Sequence, residues 1–311
     1  ALVLIIVVDL WTVDKRYLNN DRFVSSRQLN KGSEATPIDQ YILQDPAISY
    51  RVLDISGPNP QRPTPFKYSR SSRFHKSLGG YHGAKLGRYQ NLIDHYLTEE
   101  WVTFRNSFSS ESTLESVTAS MRKMKAINML NARYVVVSMQ QQALHNPFAL
   151  GNAWFVNDLI MVESDAEEIA QLGQANLGQS AFLNLAFAEN VSGISKESIE
   201  PEDVISLEDC KPNYLKYSAN NSKDRLAVFS EIWYPHGWKA FIDGEEADIL
   251  RANYLLRALV IPAGNHQVEF RFESSSLKTG QTIALISSLL IILLLIGFGF
   301  KTYRSWTQRT E

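Results

Sequence analysis

The stretch HQVEFRFESSSLKTGQTIALISSLLIILLLIGFGF (266–300) contains two different patterns in direct succession. Its first eight residues alternate, with Val268, Phe270 and Phe272 on one side and polar residues on the other, which predicts a half-buried antiparallel strand. The 22 residues from Thr279 to Phe300 then carry no charge. About 20 apolar residues span a bilayer as a helix, and buried core helices are shorter and less uniform, so we predict a transmembrane helix.

The residues after this helix indicate its orientation. The tail KTYRSWTQRTE (301–311) contains three Lys/Arg residues and one acid. Because basic residues that flank a membrane helix favour the cytoplasmic side, we expect a cytoplasmic tail and a preceding domain outside the cytoplasm.

The N-terminal stretch ALVLIIVVDLW (1–11) is also hydrophobic. Eight apolar residues precede Asp9, which is too few to span a bilayer, and the stretch has neither the basic region nor the cleavage site of a signal peptide. We expect residues 1–12 to be the end of a truncated transmembrane helix, so that the sequence is the C-terminal part of a multi-pass protein. A strand or core segment is the alternative.

The composition excludes several classes of protein. Of the 311 residues, 44% are apolar and 21% are charged, which rules out a disordered or low-complexity chain. The single cysteine, Cys210, can form neither an intramolecular disulfide nor a Cys-rich zinc site.

Between the hydrophobic ends, the pattern of the chain changes near residue 201. Before it, helices and strands are mixed: the predicted elements are a helix opened by Thr36-Pro37-Ile38-Asp39, strands at 50–55, 133–139 and 155–162, helices at 84–98 and 114–131, and a helix opened by a capping box at Asp165–Glu168. After it, short strand-like runs and turns alternate: the predicted strands are 226–231, 238–242, 247–251, 255–261 and 266–273.

The predicted fold class is therefore α+β. We expect a mixed α/β extracytoplasmic domain over 13–200 and a small antiparallel β-sandwich over 201–278. One C-terminal transmembrane helix (279–300) and the cytoplasmic tail (301–311) follow.

Positive charge is concentrated in one segment. From Ile55 to Ile93 there are seven Lys/Arg residues and no acid, whereas the rest of the chain has 24 basic and 33 acidic residues. Such a patch favours an anionic partner, and outside the cytoplasm that partner is a lipid headgroup or a lipid-linked phosphate rather than nucleic acid. The alternative is a solvated face that balances the acidic stretch 163–209.

Within this segment, SLGGYHGAKLGRYQ (77–90) places two glycines before a predicted helix. A glycine turn, free N–H groups and nearby cations can hold a phosphate or carboxylate, although the stretch lacks the Lys-Ser/Thr of a P-loop. The candidate anion or lipid-phosphate ligands are Arg70, Arg73, His82, Lys85 and Arg88. A tight turn with cations on a helix surface is the alternative.

A second candidate site is the aromatic cluster in EIWYPHGW (231–238). Trp233, Tyr234 and Trp238 could stack on sugar rings, or they could pack in the sandwich core. The sequence contains no G-x-S-x-G, H-E-x-x-H or C-x-x-C motif, and its six histidines have no metal-ligand spacing. We therefore assign no catalytic residue, no metal and no cofactor.

Several segments occur in an order that resembles a known family. They are KRYLNNDRF (15–23), YRVLDIS (50–56), the glycine stretch 77–90, INMLNARYVV (127–136), GNAWFV (151–156), YPHGWKAFIDG (234–244) and ILRANYLLRALVIPAGNHQVEFRFE (249–273). Together with the final helix, they resemble the C-terminal part of the YfhO-like bacterial membrane proteins, especially of the Bacteroidota type. The resemblance implies similarity to C-type membrane glycosyltransferases, which transfer sugars from polyprenyl phosphate and whose usual catalytic Asp lies far upstream of this sequence.

The resulting hypothesis is the outer domain and last helix of a multi-pass protein of the bacterial inner membrane. Its expected partners are the lipid bilayer, a polyprenyl-phosphate-linked sugar and an envelope glycan acceptor. A membrane-tethered glycan-binding module and an envelope scaffold or transport component without sugar chemistry are the alternatives.

Overall fold

The computed structural model describes residues 2–26, 34–57, 65–81, 83–108 and 112–307, with side chains from residue 4 to residue 301 in these ranges. The helices are α1 (Leu2–Tyr17), α2 (Pro37–Leu43), α3 (Gly87–Leu92), α4 (Thr98–Asn106), α5 (Leu114–Arg122), α6 (Lys125–Met129), α7 (Asp165–Gln171) and α8 (Ser275–Thr307). The first seven strands are β1 (Arg51–Asp54), β2 (Lys76–Ser77), β3 (Ala132–Val136), β4 (Leu144–His145), β5 (Ala153–Val156), β6 (Asp158–Val162) and β7 (Ser180–Asn184). The remaining strands are β8 (Val204–Lys211), β9 (Tyr214–Asn221), β10 (Arg225–Ile232), β11 (Trp238–Ile242), β12 (Glu245–Ala247), β13 (Leu250–Ala252), β14 (Leu256–Ile261) and β15 (Gly264–Phe272).

These strands form three sheets. A four-stranded sheet has the order β2-β1-β3-β4, with β1 parallel to both of its neighbours. A six-stranded sheet has the order β5-β10-β14-β13-β7-β6, and a five-stranded antiparallel sheet has the order β12-β11-β15-β9-β8. The predicted α+β class is confirmed.

The five-stranded sheet packs face to face on the six-stranded sheet. Tyr217, Phe229 and Phe270 meet edge to face at the centre of this sandwich, with ring centroids 4.9–6.1 Å apart. Val268 and Phe270 are fully buried and their polar neighbours are not, so the predicted alternation of β15 is confirmed. Burial on one face fixes the register of the strand, because a one-residue slip would expose both side chains.

The six-stranded sheet combines strands from both sides of residue 201. β5 pairs with β10, and β7 pairs with β13. The other face of this sheet packs against the helices and the four-stranded sheet in a second core. The division into two domains at residue 201 therefore stays a prediction.

Several predicted boundaries are corrected by the structure. The helix expected at 84–98 begins at Gly87 and continues through a π-helical turn (Ile93–Leu97) into α4. The helix expected at 114–131 is divided between α5 and α6, because Glu100 accepts the first free N–H groups of α6, from Ala126 and Ile127.

Two further predictions were wrong in detail. The N-cap expected at Asp165 is instead Ser164, which accepts the N–H of Glu167, and the side chain of Glu167 accepts the N–H of Glu163 rather than that of the N-cap. The strand expected at 247–251 is two strands, β12 and β13, in different sheets. By contrast, the helix at Thr36-Pro37 is confirmed with a complete capping box between Thr36 and Asp39.

The apolar C-terminal segment forms one continuous helix. Within α8, Ser275–Lys301 is long and apolar enough to span a membrane, and its side chains are exposed. Phe272 ends β15 only three residues before this helix starts, so the sandwich leads directly into it, as predicted. The α1 helix also exposes apolar side chains, and its assignment to the end of a membrane helix stays a prediction.

Candidate functional site

The glycine turn predicted from the sequence borders a cavity of about 410 Å³. We call this cavity the glycine-turn pocket. Its apolar wall includes Leu78, Leu86, Tyr89, Leu130 and Ile232. Its polar wall includes Arg51, Ser69, Ser72, Ser77 and Lys85. An apolar cavity with a few convergent polar groups is the usual form of a ligand site.

The two glycines are required by the shape of the turn. A Cβ on Gly79 would lie 2.1 Å from the carbonyl oxygen of Pro65, so the backbone of the two segments approaches more closely than any side chain permits. Gly80 has a φ of +138°, which favours glycine. The N–H of Gly79 donates to Ser77 Oγ at 3.0 Å, which fixes the start of the turn.

Arg51 and Lys85, the two cations among the described residues that line the pocket, have different surroundings. Arg51 donates to the carbonyl oxygens of Leu130 (2.9 Å) and Ser230 (2.6 Å) and lies 3.6 Å from Glu231. Lys85 is half-buried and forms no ion pair within the part of the chain that the structure describes. Lys85 is therefore the pocket cation whose charge is available to a ligand.

Tyr89 closes the pocket with a neutral phenol. Its hydroxyl donates to the carbonyl oxygen of Leu78 at 2.6 Å. Burial raises the pKa of Tyr89 to about 12, and the nearby charge of Arg51 opposes this shift. At neutral pH the phenol adds no negative charge to the pocket.

The other predicted anion ligands occupy different positions. Arg70 pairs with Asp39 at 3.0 Å and with Asp54 at 3.4 Å, and it does not line the pocket. Arg88 pairs with Asp165, and its guanidinium lies 5.0 Å from the centre of the Tyr254 ring. Arg73 is exposed on a short 3₁₀ turn, and His82 lies outside the described residues. Of the four candidates that the structure describes, Lys85 is the one that lines the glycine-turn pocket.

The predicted aromatic residues pack on arginines. Trp233 lies 5.7 Å from the Arg251 guanidinium, and Trp238 lies 4.0 Å from that of Arg257. Both indoles are half-buried, whereas Tyr234 is 39% exposed. Trp233 and Trp238 are therefore partly covered by the protein itself, which leaves less of each ring for a sugar.

A partly buried charge network connects the aromatic cluster to helix α3. Asp165 binds both Arg88 of α3 and Arg251, which lies beside Trp233. Glu168 is fully buried, pairs with Arg251 at 3.1 Å and accepts the N–H of Tyr254 at 2.6 Å. Two segments that are about 150 residues apart in sequence are thus held at one end of the six-stranded sheet.

Arg257 connects the glycine-turn pocket to the aromatic cluster. It is 3% exposed, and its Nε donates to the carbonyl oxygen of Ile232, which lines the pocket. Burial lowers the pKa of Arg257 to about 10, while the charge of Glu231 opposes this shift, so the guanidinium remains charged at neutral pH. Sequence patterns did not assign Arg51 or Arg257 to a site, and they gave Glu168 only a place in a capping box, because the partners of these residues are distant in the chain.

Within the described ranges, no three His, Cys, Asp or Glu side chains come together as a possible metal site. The geometry therefore offers a pocket for an anion with an apolar part, and the described residues include no arrangement that we can assign to bond cleavage.

The fold combines a β-rich folded part with one apolar helix that is long enough to span a membrane. Residues 187–284 match the model of a family described as bacterial membrane protein YfhO. This range contains the strands β8–β15 and the start of α8, so the YfhO-like resemblance is confirmed there. No curated protein and no solved structure matches the chain.

Proposed function

We propose that this chain is the C-terminal extracytoplasmic part of a multi-pass, glycosyltransferase-like protein of the bacterial inner membrane. In this proposal the parent protein uses a polyprenyl-phosphate-linked sugar to modify a cell-envelope glycan. The glycine-turn pocket holds the phosphate of that lipid, and the catalytic residues belong to another part of the parent protein. The observation that carries the proposal is the pocket itself, in which Lys85 lies between a glycine turn and an apolar wall and has no ion pair with any residue that the structure describes.

The two sides of the pocket suit the two parts of such a ligand. Lys85 and the hydroxyl of Ser69 can donate to phosphate oxygens, whereas the Ser72 hydroxyl already donates to the carbonyl oxygen of Ser69. Leu78 and Leu86 offer apolar surface to the first units of a prenyl chain. Of the cations discussed, Lys85 can bind a phosphate without breaking an ion pair, because it has no carboxylate partner among the described residues.

The position of the pocket also supports a lipid-linked ligand. Ile232 lines the pocket and ends β10, and Arg257 joins its carbonyl oxygen to Trp238 of β11. Trp238 pairs with Phe272, which is followed within three residues by α8. These contacts link the pocket to the start of α8, as the proposed lipid-linked ligand requires.

The test is binding of a polyprenyl phosphate to the full chain in detergent micelles. We expect Lys85→Glu to weaken binding at least about tenfold, since a charge reversal replaces an attraction with a repulsion near the phosphate. The matched control is Lys196→Glu, which makes the same charge change at an exposed lysine in the loop before β8. Equal affinities for the two variants, in proteins with the same far-UV circular dichroism, would contradict the proposed pocket.

A second comparison uses the uncharged ligand. The wild-type chain should bind polyprenyl phosphate more tightly than the corresponding polyprenol, and Lys85→Glu should remove this preference. A preference that survives the substitution would mean that the phosphate binds elsewhere.

A further inference from the structure

We infer that the loop between β10 and β11 is a membrane-contacting surface whose partner is the headgroup layer of the lipid bilayer. The loop consists of residues 233–237, and we call it the aromatic loop. This inference goes beyond the proposed function, because it requires neither a ligand in the glycine-turn pocket nor any sugar chemistry.

The first support is the connection between this loop and the membrane helix. The N–H of Glu273 donates to the carbonyl oxygen of Gly237 at 2.6 Å. Trp238 pairs with Phe272 in the ladder between β11 and β15. Since α8 begins at Ser275, Gly237 at the end of the loop lies within about 10 Å of the first residue of the apolar helix.

The second support is the chemistry of the exposed part of the loop. Tyr234, Pro235 and His236 are exposed, and the rings of Tyr234 and His236 pack edge to face at 5.4 Å. Aromatic side chains with one polar end prefer the level of lipid headgroups, where the ring is shielded and the polar end remains hydrated.

The third support is the rigid base of the loop. Trp233 packs on Arg251 and Trp238 packs on Arg257, and both arginines are buried or nearly buried. The N–H of Trp233 also donates to the carbonyl oxygen of Leu255 at 2.7 Å. The two tryptophans therefore anchor the loop in the sandwich, while Tyr234 and His236 project from it.

A neighbouring feature extends the same surface. Tyr81 lines the glycine-turn pocket together with Ile232 and is 82% exposed. Ile232 thus lines the same pocket as Tyr81 and directly precedes the aromatic loop in the chain.

The test measures how deeply single positions lie in the bilayer. The full chain with Cys210→Ser receives one new cysteine, at Tyr234→Cys or His236→Cys, which is labelled with an environment-sensitive fluorophore. After reconstitution into phosphatidylcholine vesicles, quenching by a lipid with a nitroxide headgroup reports contact with the headgroup layer. We expect blue-shifted emission and several-fold stronger quenching at both loop positions than at the control position.

The matched control is Asn265→Cys. Asn265 is exposed on β15, the strand that leads into α8. It lies at the end of this strand distant from α8, about 24 Å from Phe272 along the strand. Equal quenching at positions 234, 236 and 265, or stronger quenching at 265, would overturn the inference. Since no ligand is present, this result is independent of the binding test at Lys85.

Discussion

Asp39 is a buried carboxylate that connects α2 to the basic segment. It accepts hydrogen bonds from Thr36 Oγ1 (2.6 Å) and from the Thr36 N–H (2.9 Å), pairs with Arg70 at 3.0 Å and lies 3.1 Å from His75 Nε2. Burial raises the pKa of Asp39, but the hydrogen bonds from Thr36 and Arg70 outweigh this effect and hold the pKa at about 2, below its usual 3.8.

The lowered pKa implies a pH-dependent contribution to stability. Because the folded state depresses the pKa of Asp39, its charge contributes to stability above pH 3.8, and this contribution is lost as the pH falls through about 2. A shift of this size corresponds to about 2.4 kcal/mol, and the side chain of Arg70 is 37% exposed, so solvent screens part of it. We expect Asp39→Asn to lower the free energy of unfolding by about 2 kcal/mol at neutral pH.

Urea unfolding of the full chain in detergent micelles, followed by the fluorescence of buried residues such as Trp101, measures this difference. The cost of Asp39→Asn should fall below about 0.5 kcal/mol near pH 2, where the wild-type carboxyl is itself half protonated. Glu202→Gln, at an exposed carboxylate, is the control and should change stability little at either pH. A cost that is the same at both pH values would refute the linkage to the Asp39 charge.

Three further perturbations have defined outcomes. Gly79→Ala should lower the free energy of unfolding by about 2 kcal/mol and weaken ligand binding, because the new Cβ would overlap the Pro65 carbonyl oxygen. Thermal unfolding measures the loss of stability, and an unchanged midpoint would contradict the close approach of the two segments. Asp203→Asn should lower the free energy of unfolding by about 3 kcal/mol, because it leaves the fully buried Arg225 without its carboxylate partner at 2.7 Å. Replacing both residues with apolar ones should cost less, and a double-mutant cycle measures the difference. Burial raises the pKa of Glu100 to about 7, so the free energy of unfolding should decrease as the pH rises from 4.5 to 7. Glu100→Gln should reduce this pH dependence, which urea titrations at several pH values measure.

The sequence predicted those elements whose signal is local. The alternation of β15, the capping box at Thr36 and the uncharged run of α8 each depend on neighbouring residues, and each is present in the structure. The partners of β5 and β7 were not predictable in the same way. These strands join β10 and β13 across about 70 residues, and strand pattern alone does not specify a partner so far along the chain.

The sequence indicated the part of the candidate site whose signal is local, and it did not indicate the part that depends on distant partners. The glycine turn was visible because its backbone needs residues without a Cβ, and the turn does border a cavity. Arg51 was not visible, because its contacts with Ser230 span 179 residues. A buried arginine and an exposed one have the same letter in the sequence, and only the fold distinguishes them.

The charges of the basic segment also have partners that are distant in the sequence, and these partners determine how strongly the pocket attracts an anion. The acid-free run begins one residue after Asp54, and the structure brings Asp54 and Asp39 back to Arg70 and brings Asp165 to Arg88. Ion pairs with acids from outside the run therefore offset part of its positive charge. The attraction that the pocket exerts on an anion depends on Lys85 far more than on the number of cations in the run. Loss of Arg70 should accordingly act through stability, whereas loss of Lys85 should act through binding.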